Sequence, residues 1–165
     1  TFIYAFLYGA GDAKIGEIVG GTAREGARLK KRFLKQLPAL HRLKVAVEEK
    51  AKRNKKIVGI DGRILPIRYE HAALNTLLQS AGAVAMKNAL IILTQSLQRL
   101  GWRHGREWGY VANVHDEFQA EVKWDNVELY GKLAVDAISM AGEHLKMRCP
   151  LDGEYKVGSS WAETH

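Results

Sequence analysis

The sequence has 165 residues, enough for one compact domain or a large piece of a bigger protein, and 47% of them are hydrophobic, which is ample for a core. Twenty-five Lys and Arg against 18 Asp and Glu give a net charge of +7, which favours a polyanionic partner such as nucleic acid. The single cysteine, Cys149, excludes an internal disulfide, and the sequence has no uninterrupted run of about 18 apolar residues that would indicate a membrane span, so we expect a soluble intracellular protein.

The first third of the chain is predicted to be helical. Residues 1–8 are apolar and aromatic but have no capping residue ahead of them, which is typical of a helix whose start is missing. A glycine-broken turn with a short helix follows. From Thr22 the helical pattern runs to about residue 54, with Thr22 and Glu25 as a capping box and Pro38 as a break or kink. Residues 24–56 carry thirteen Lys and Arg but only three Glu.

The rest of the chain alternates hairpins with helices. The dipeptide Asp61-Gly62 between two β-rich runs predicts a hairpin, and residues 71–100 form the longest helical pattern. Residues 110–122 are predicted to form a second strand–turn–strand unit. An amphipathic helix follows and is predicted to end at Cys149-Pro150, before an irregular tail. Its predicted inner face carries the apolar residues Val127, Leu129, Leu133, Val135, Ile138 and Leu145. Helices combined with a few antiparallel strands indicate the α+β class.

Three polar residues, His115, Asp116 and Glu117, lie between the apolar arms of the second predicted hairpin. Two consecutive carboxylates at an exposed turn suit a hard cation such as Mg²⁺, which takes oxygen ligands. The alternative is that these are ordinary solvated turn residues, and the pattern alone favours that alternative.

Asn75 and Gln79 lie one turn apart on the longest predicted helix and continue towards Gly82, Ala83 and Met86. Amides beside a small-residue surface would let a duplex approach and hydrogen-bond base edges. Equally, they would form the solvent-facing side of the helix, with the glycine accommodating packing. Leu77, Leu78, Ala81, Val84 and Ala85 are predicted to form the buried side.

Tyr4 and Tyr8 are one helical turn apart and are followed by Gly9 and Gly11. Aromatic rings stack on bases and sugars, and glycine removes bulk where a strand could turn. An aromatic pair packed in a core is the commoner explanation of this spacing.

Together and in this order, these stretches resemble the C-terminal part of family A DNA polymerases, the DNA polymerase I superfamily, and most of all its short-tailed bacteriophage replicative branch. "FIYAFLYGAG" resembles the end of motif B on the fingers helix, "HAALNTLLQSAGA" the long palm helix, and "VHDE" motif C on the palm hairpin. "GIDGR" and the final "WAETH" extend the match over the whole chain. The resemblance implies part of a right-hand polymerase fold, with residues 1–70 in the fingers and residues 71–165 in the C-terminal palm.

The resemblance also implies roles for the matching catalytic and nucleotide-binding residues. Asp116 would be a catalytic metal ligand, Glu117 its less essential neighbour, and His115 would hold the primer end. Tyr4 would pack against the sugar and base of the incoming nucleotide, where a Tyr goes with tolerance of dideoxynucleotides. Tyr8 would contact the templating base.

Further matching positions imply contacts with DNA. Gly9 would lie beside the templating base, and His71 stands where relatives often place a basic, DNA-contacting residue. Asn75 and Gln79 would test the minor-groove acceptors that all correct base pairs share. The basic run between residues 24 and 56 would lie mainly on the fingers.

Several parts of the family pattern are absent from the sequence: the motif B Arg and Lys that bind the triphosphate, the motif A Asp, and the thumb. Two Mg²⁺ ions shared between motifs A and C imply that this chain alone does not polymerise and needs an N-terminal chain carrying motif A. A split gene, proteolysis or intein removal would each explain the start at Thr1. The resemblance further implies primer–template DNA and dNTP as partners, a thioredoxin-like processivity factor acting through the thumb, and the host-cell cytoplasm as location. The alternative function is a non-catalytic DNA-binding or scaffold module with a polymerase-derived fold.

Overall fold

The computed structural model describes residues 2–164, which divide into two compact units, one ending at Ser80 and the other beginning at Ala81. The predicted α+β class is confirmed. The helices are α1 (Phe2–Leu7), α2 (Asp12–Ile18), α3 (Ala23–Gln36), α4 (Pro38–Asn54), α5 (Ala73–Arg99), α6 (Val127–His144) and α7 (Trp161–Thr164). The strands are β1 (Lys56–Val58), β2 (Ile64–Pro66), β3 (Trp108–Val114) and β4 (Glu117–Val122).

The start of α3 has the predicted capping box. The Glu25 backbone N–H donates to Thr22 Oγ1 at 3.4 Å, and the Thr22 backbone N–H donates to Glu25 Oε2 at 2.7 Å. The second of these bonds is the main reason that the pKa of Glu25 lies below its ordinary value. At the other end, Pro38 is the first residue of α4, so the predicted break falls at Leu37.

Two glycines allow α2 and α3 to pack closely. A Cβ at Gly26 would lie 2.1 Å from the Asp12 carbonyl oxygen, and one at Gly16 would lie 2.2 Å from the Thr22 carbonyl oxygen. Any larger side chain at either position would therefore overlap with backbone. Lys30 of α3 also pairs with Asp12 at 2.8 Å.

The core of the first unit is formed where α4, the first hairpin and the start of α5 meet. Its buried members are Val47, Ala51, Ile57, Ile67, Ala73 and Leu74. The predicted hairpin is present, with β1 and β2 antiparallel and Lys56 opposite Pro66. Gly62 has a φ of 85°, a left-handed conformation that favours glycine in a turn.

The predicted long helix is present as α5, preceded by a single 3₁₀ turn at Glu70–Ala72. By length and composition alone, the helical segment 70–99 could cross a membrane, although its apolar residues do not form one uninterrupted run. Its apolar side chains contribute to both cores. Ala73 and Leu74 belong to the core of the first unit, and Leu93 and Leu97 are fully buried in the core of the second.

The second unit packs the β3–β4 hairpin against α5 and α6. Its buried core consists of Leu93, Leu97, Trp108, Tyr130, Ala134 and Ala137. The two strands pair antiparallel from Trp108 opposite Val122 to Val114 opposite Glu117, with an irregularity between Tyr110 and Ala112.

Two expectations for α6 are wrong. The helix ends at His144 instead of at Cys149-Pro150, and Leu129, which the apolar pattern placed on the inner face, is 46% exposed. The buried Gly131 has no room for a side chain, because the chain after the helix packs against it: a Cβ at Gly131 would lie 2.3 Å from the ring of Tyr155. The Tyr155 hydroxyl donates to Glu128 at 2.8 Å, and this hydrogen bond raises the pKa of Tyr155.

Candidate active site and nucleic-acid interface

The tip of the second hairpin is a two-residue loop, His115-Asp116. The triplet is therefore not all at the tip, because Glu117 is the first residue of β4 and pairs with Val114. His115 has a φ of 54°, a left-handed conformation that His adopts more readily than most residues. The tight turn leaves both His115 and Asp116 exposed to solvent.

Glu117 is half-buried and held by a neighbour on its own strand. Gln119 Nε2 donates to Glu117 Oε1, and Gln119 Oε1 accepts a hydrogen bond from Thr164 Oγ1 at 3.0 Å. The two carboxylates of the hairpin thus have different surroundings: Asp116 faces solvent, while one oxygen of Glu117 is engaged by an amide.

The metal-binding capacity of the hairpin is partial. Among residues 2–164, no group of three or more His, Cys, Asp or Glu side chains is arranged to hold a metal ion. The exposed Asp116 carboxylate has the hard oxygen donors that Mg²⁺ prefers. Asp116 therefore fits Mg²⁺ as a single ligand, and the described residues do not by themselves make up a full ligand set.

The aromatic residues of α1, together with Tyr8 just after it, lie on two different faces. Phe2 and Phe6 contact the ring of Phe33 on α3, with centroid distances of 5.2 and 5.1 Å. Tyr4 and Tyr8 point away and are 71% and 60% exposed. The tyrosine pair is therefore not part of the core in this structure, and both rings are accessible to a ligand.

The turn after α1 lies close to the turn before α5. Gly9 has a φ of 80°, and a Cβ there would lie 3.8 Å from the carbonyl oxygen of His71. The exposed imidazole of His71 stacks on Tyr69, with 5.6 Å between the ring centroids and an interplanar angle of 18°. The structure thus brings together two of the predicted DNA-contacting residues, Gly9 and His71.

The predicted polar stripe on α5 is present. Asn75 is half-buried and Gln79 is exposed, while Val84 and Ala85 are buried on the opposite side. Leu78, which was predicted to be buried, is 37% exposed. Within the described residues, a Cβ at Gly82 would meet nothing within 4 Å. This glycine therefore leaves the helix surface without a protruding side chain, and it does not accommodate packing.

Sequence reasoning missed three residues beside these sites: Tyr69, Gln119 and Thr164. Tyr69 ends the β-rich run that follows Gly62, so the pattern predicts no more than a strand residue there. Gln119 stands two residues after Glu117 on a strand, and this spacing alone indicates that their side chains share a face. Nothing in the sequence pattern joined Thr164 to the hairpin, because the two are 45 residues apart.

Comparison with solved structures identifies the fold. The chain is similar to the POL domain of Pol1 from M. smegmatis, solved in complex with DNA primer-template and dNTP, with a TM-score of 0.73 and 20% sequence identity over 94% of this chain and 28% of that one. The fold is therefore that of part of a polymerase domain.

Sequence comparison gives the family. The model of DNA polymerase family A matches residues 1–163, and the chain belongs to that family. It is 42% identical over 182 aligned residues to the DNA-directed DNA polymerase of Enterobacteria phage T3, and 42% identical over the same length to that of Escherichia phage T7. The alignments cover 100% of this chain and 26% of each relative, so the chain spans about a quarter of their length.

Proposed function

We propose that this chain supplies the fingers portion (residues 1–70) and the C-terminal palm portion (residues 71–165) of a template-directed 5′→3′ DNA-dependent DNA polymerase. The observation that carries the proposal is Asp116, a solvent-facing carboxylate at the tip of a two-residue hairpin loop, in a chain that belongs to DNA polymerase family A. The phage relatives are DNA-directed DNA polymerases. By analogy, the ligands of this chain are primer–template DNA and dNTP.

In the proposed reaction, the 3′-hydroxyl of the primer attacks the α-phosphate of the dNTP, and pyrophosphate leaves. Asp116 would bind Mg²⁺, which when bound favours the deprotonated hydroxyl and neutralises charge on the phosphates. His115 holds the primer end beside Asp116, and Glu117 supports the same hairpin. A further Asp, and the Arg and Lys that bind the triphosphate, come from polymerase sequence outside these 165 residues.

The exposed residues of the first unit select the nucleotide and hold the template. The Tyr4 ring packs against the sugar and base of the incoming nucleotide, and Tyr8 and Gly9 contact the templating base. His71 contacts the DNA, while Asn75 and Gln79 donate to minor-groove acceptors of the newly formed pair. The exposure of Tyr4, Tyr8 and Gln79 supports these roles, because each ring or amide is free of the core.

The proposed enzyme needs partners. An N-terminal polymerase chain carrying motif A completes the metal site, and a thioredoxin-like processivity factor would act through the thumb, which is not part of this sequence. The similarity to phage replicative polymerases supports a site of action in the host-cell cytoplasm.

The test uses this chain assembled with the polymerase portion that carries motif A. We expect Asp116→Ala to abolish primer extension while primer–template binding stays within about twofold of the unchanged assembly, because the carboxylate serves the metal and not the DNA. Extension is followed on a labelled primer, and binding by fluorescence anisotropy.

The matched control is Asp136→Ala, which removes an exposed carboxylate from α6 and leaves extension intact. Near-normal extension by the Asp116 variant would contradict the metal assignment. DNA binding that depends only on salt, with no preference for a primer–template junction and no extension by the unchanged assembly, would favour the non-catalytic binding module.

A further inference from the structure

We infer that Gln119 and Thr164 are positioning residues that fix the Glu117 carboxylate beside Asp116. Helix α7 therefore contributes, through Thr164, to the geometry of the proposed catalytic hairpin. The inference rests on the proposed polymerase function. It is carried by an unbroken chain of hydrogen bonds from Thr164 through Gln119 to Glu117.

The first link lies within β4. Glu117 and Gln119 are two residues apart on a strand, so their side chains project from the same face. Gln119 Nε2 donates to Glu117 Oε1, and both side chains are half-buried. A carboxylate held by an amide N–H in a partly desolvated place keeps one rotamer, since leaving it would cost a charge-assisted hydrogen bond.

The second link fixes the amide itself. Thr164 Oγ1 donates to Gln119 Oε1 at 3.0 Å, which is nearer than its other acceptor, the Trp161 carbonyl oxygen at 3.2 Å. A glutamine amide has one accepting end and one donating end. With a hydroxyl donor at its oxygen and a carboxylate at its nitrogen, Gln119 satisfies both partners in only one of its two flipped orientations.

The anchor of this chain is set by the local structure around α7. The Ser159 backbone N–H donates to Glu163 Oε2 at 2.6 Å, immediately before the helix begins at Trp161. This bond holds the first turn, and thereby the position of Thr164 at the helix end. The tail thus reaches the hairpin across 45 residues of sequence through one hydroxyl.

The functional consequence concerns the acid next to the metal ligand. A free Glu side chain loses rotamer entropy when it is ordered. In this hairpin one oxygen of the carboxylate is held before any ligand arrives, by a Gln119 amide that Thr164 in turn holds. Residues that orient the groups around a metal in this way change metal affinity or activity by about 10–100-fold when they are replaced.

The first experiment measures the Mg²⁺ dependence of primer extension by the assembled polymerase at saturating dNTP. Thr164→Val should raise the Mg²⁺ concentration for half-maximal rate by roughly tenfold, the lower end of the range for such residues. Thr164→Ser keeps the hydroxyl and should restore the original dependence. Gln119→Leu should reproduce the Val variant, and the double variant should be no worse than either, because both changes break one chain.

The matched control for the amide is Gln98→Leu, which alters an exposed glutamine on α5 and should leave the Mg²⁺ dependence unchanged. The thermal unfolding midpoint of each variant checks that the fold is retained. If the tail served only the stability of the fold, Thr164→Val would lower the unfolding midpoint. The Val and Ser variants would then have the same Mg²⁺ dependence of primer extension.

A second readout does not depend on polymerase activity. In this chain alone, the side-chain amide of Gln119 gives a pair of nitrogen–proton NMR signals, which Thr164→Val should displace and Thr164→Ser should not. Unmoved signals would overturn the inference, as would an unchanged Mg²⁺ dependence in both the Val and Leu variants of an active polymerase. No extension by the unchanged assembly, together with displaced signals, would overturn the proposed function and leave only the hydrogen-bond chain standing.

Discussion

Two tyrosines in the second unit, Tyr110 and Tyr130, differ in where their hydroxyl groups lie. The Tyr110 hydroxyl donates to the Leu90 carbonyl oxygen at 3.0 Å and lies 3.2 Å from Thr94 Oγ1. The Tyr130 hydroxyl is buried, and no residue in the described part of the chain gives it a hydrogen-bond partner. Burial raises the pKa of both phenols.

The residue-scale prediction is that Tyr130→Phe does not destabilise the chain at neutral pH and makes it more resistant to alkali. Removing a buried hydroxyl without a partner is expected to gain up to about 1–3 kcal/mol of unfolding free energy. Above pH 10 the unfolded chain loses the Tyr130 proton while the folded chain keeps it, so stability present below pH 10 is lost as pH rises. Urea unfolding at pH 7 and at pH 10–11 measures both effects.

Tyr110→Phe is the control for this prediction, because it removes a hydroxyl that is bonded and should cost about 1 kcal/mol at pH 7. If Tyr130→Phe proved as costly as Tyr110→Phe, the Tyr130 hydroxyl would have a bonded partner in solution.

At the scale of elements, the contact between α2 and α3 depends on the absence of side chains at Gly16 and Gly26. Intrinsic helix propensity favours Ala over Gly by about 1 kcal/mol in a helix interior. At Gly26 this gain is outweighed, because a Cβ would lie 2.1 Å from the Asp12 carbonyl oxygen and backbone cannot yield cheaply.

We therefore predict opposite signs for one substitution at two glycines. Gly26→Ala should lower the free energy of unfolding by about 1–3 kcal/mol through overpacking. Gly82→Ala, on the open face of α5, should raise it by about 0.5–1 kcal/mol. Denaturant unfolding of the two variants provides the measurement, and stabilisation by both would show that α2 and α3 are not in close contact.

The elements were predictable where local chemistry decides them. Thr22 with Glu25, Pro38 and Asp61-Gly62 predicted a helix start, a helix break and a hairpin, and all three are confirmed. The need for a glycine at position 131 of α6 was not predictable, because the tail residue Tyr155 occupies the space that a side chain there would fill. Tertiary packing determines which residues fit at such a position, and the apolar periodicity of a single helix does not predict it.

The candidate site was predictable only in part, for a similar reason. The order of the motifs identified the family, and the apolar arms on either side of the polar triplet placed Asp116 at a turn. Whether Glu117 lies in the loop or begins strand β4 depends on the strand register. The sequence does not fix that register to within one residue. The roles of the nine predicted site residues stay predictions, since they depend on DNA, nucleotide and metal. The division of function at residue 70 also stays a prediction.

On the scale of the whole molecule, the charge of +7 is concentrated in the α3–α4 region. Several of its cations are engaged by acids: Lys30 with Asp12, Lys44 with Glu48, and Lys55 with Glu70. Others on α3 are exposed, among them Lys31, Arg32 and Lys35. Exposed cations on one helix are available to phosphates without first giving up an ion pair.

The whole-molecule prediction is that replacing Lys31, Arg32 and Lys35 by Gln weakens primer–template binding uniformly across sequences. Each lost phosphate contact should reduce the slope of log affinity against log salt by about one. Titrations at several salt concentrations measure this slope. Lys123→Gln is the control, because Lys123 Nζ lies 3.2 Å from Glu107 Oε1 and is already paired. An unchanged slope in the triple variant would show that these three residues do not contact DNA phosphates.

Helix α1 packs on α3 through its phenylalanine face, while its tyrosine face is exposed. Its direction is therefore set by Phe2 and Phe6 against Phe33, a half-buried ring on another helix. Any drift of Phe33 during evolution would rotate Tyr4 and Tyr8 without altering either tyrosine. A lineage could thus reorient both exposed rings, and with them any ligand contact that the rings make, through a residue on a different helix.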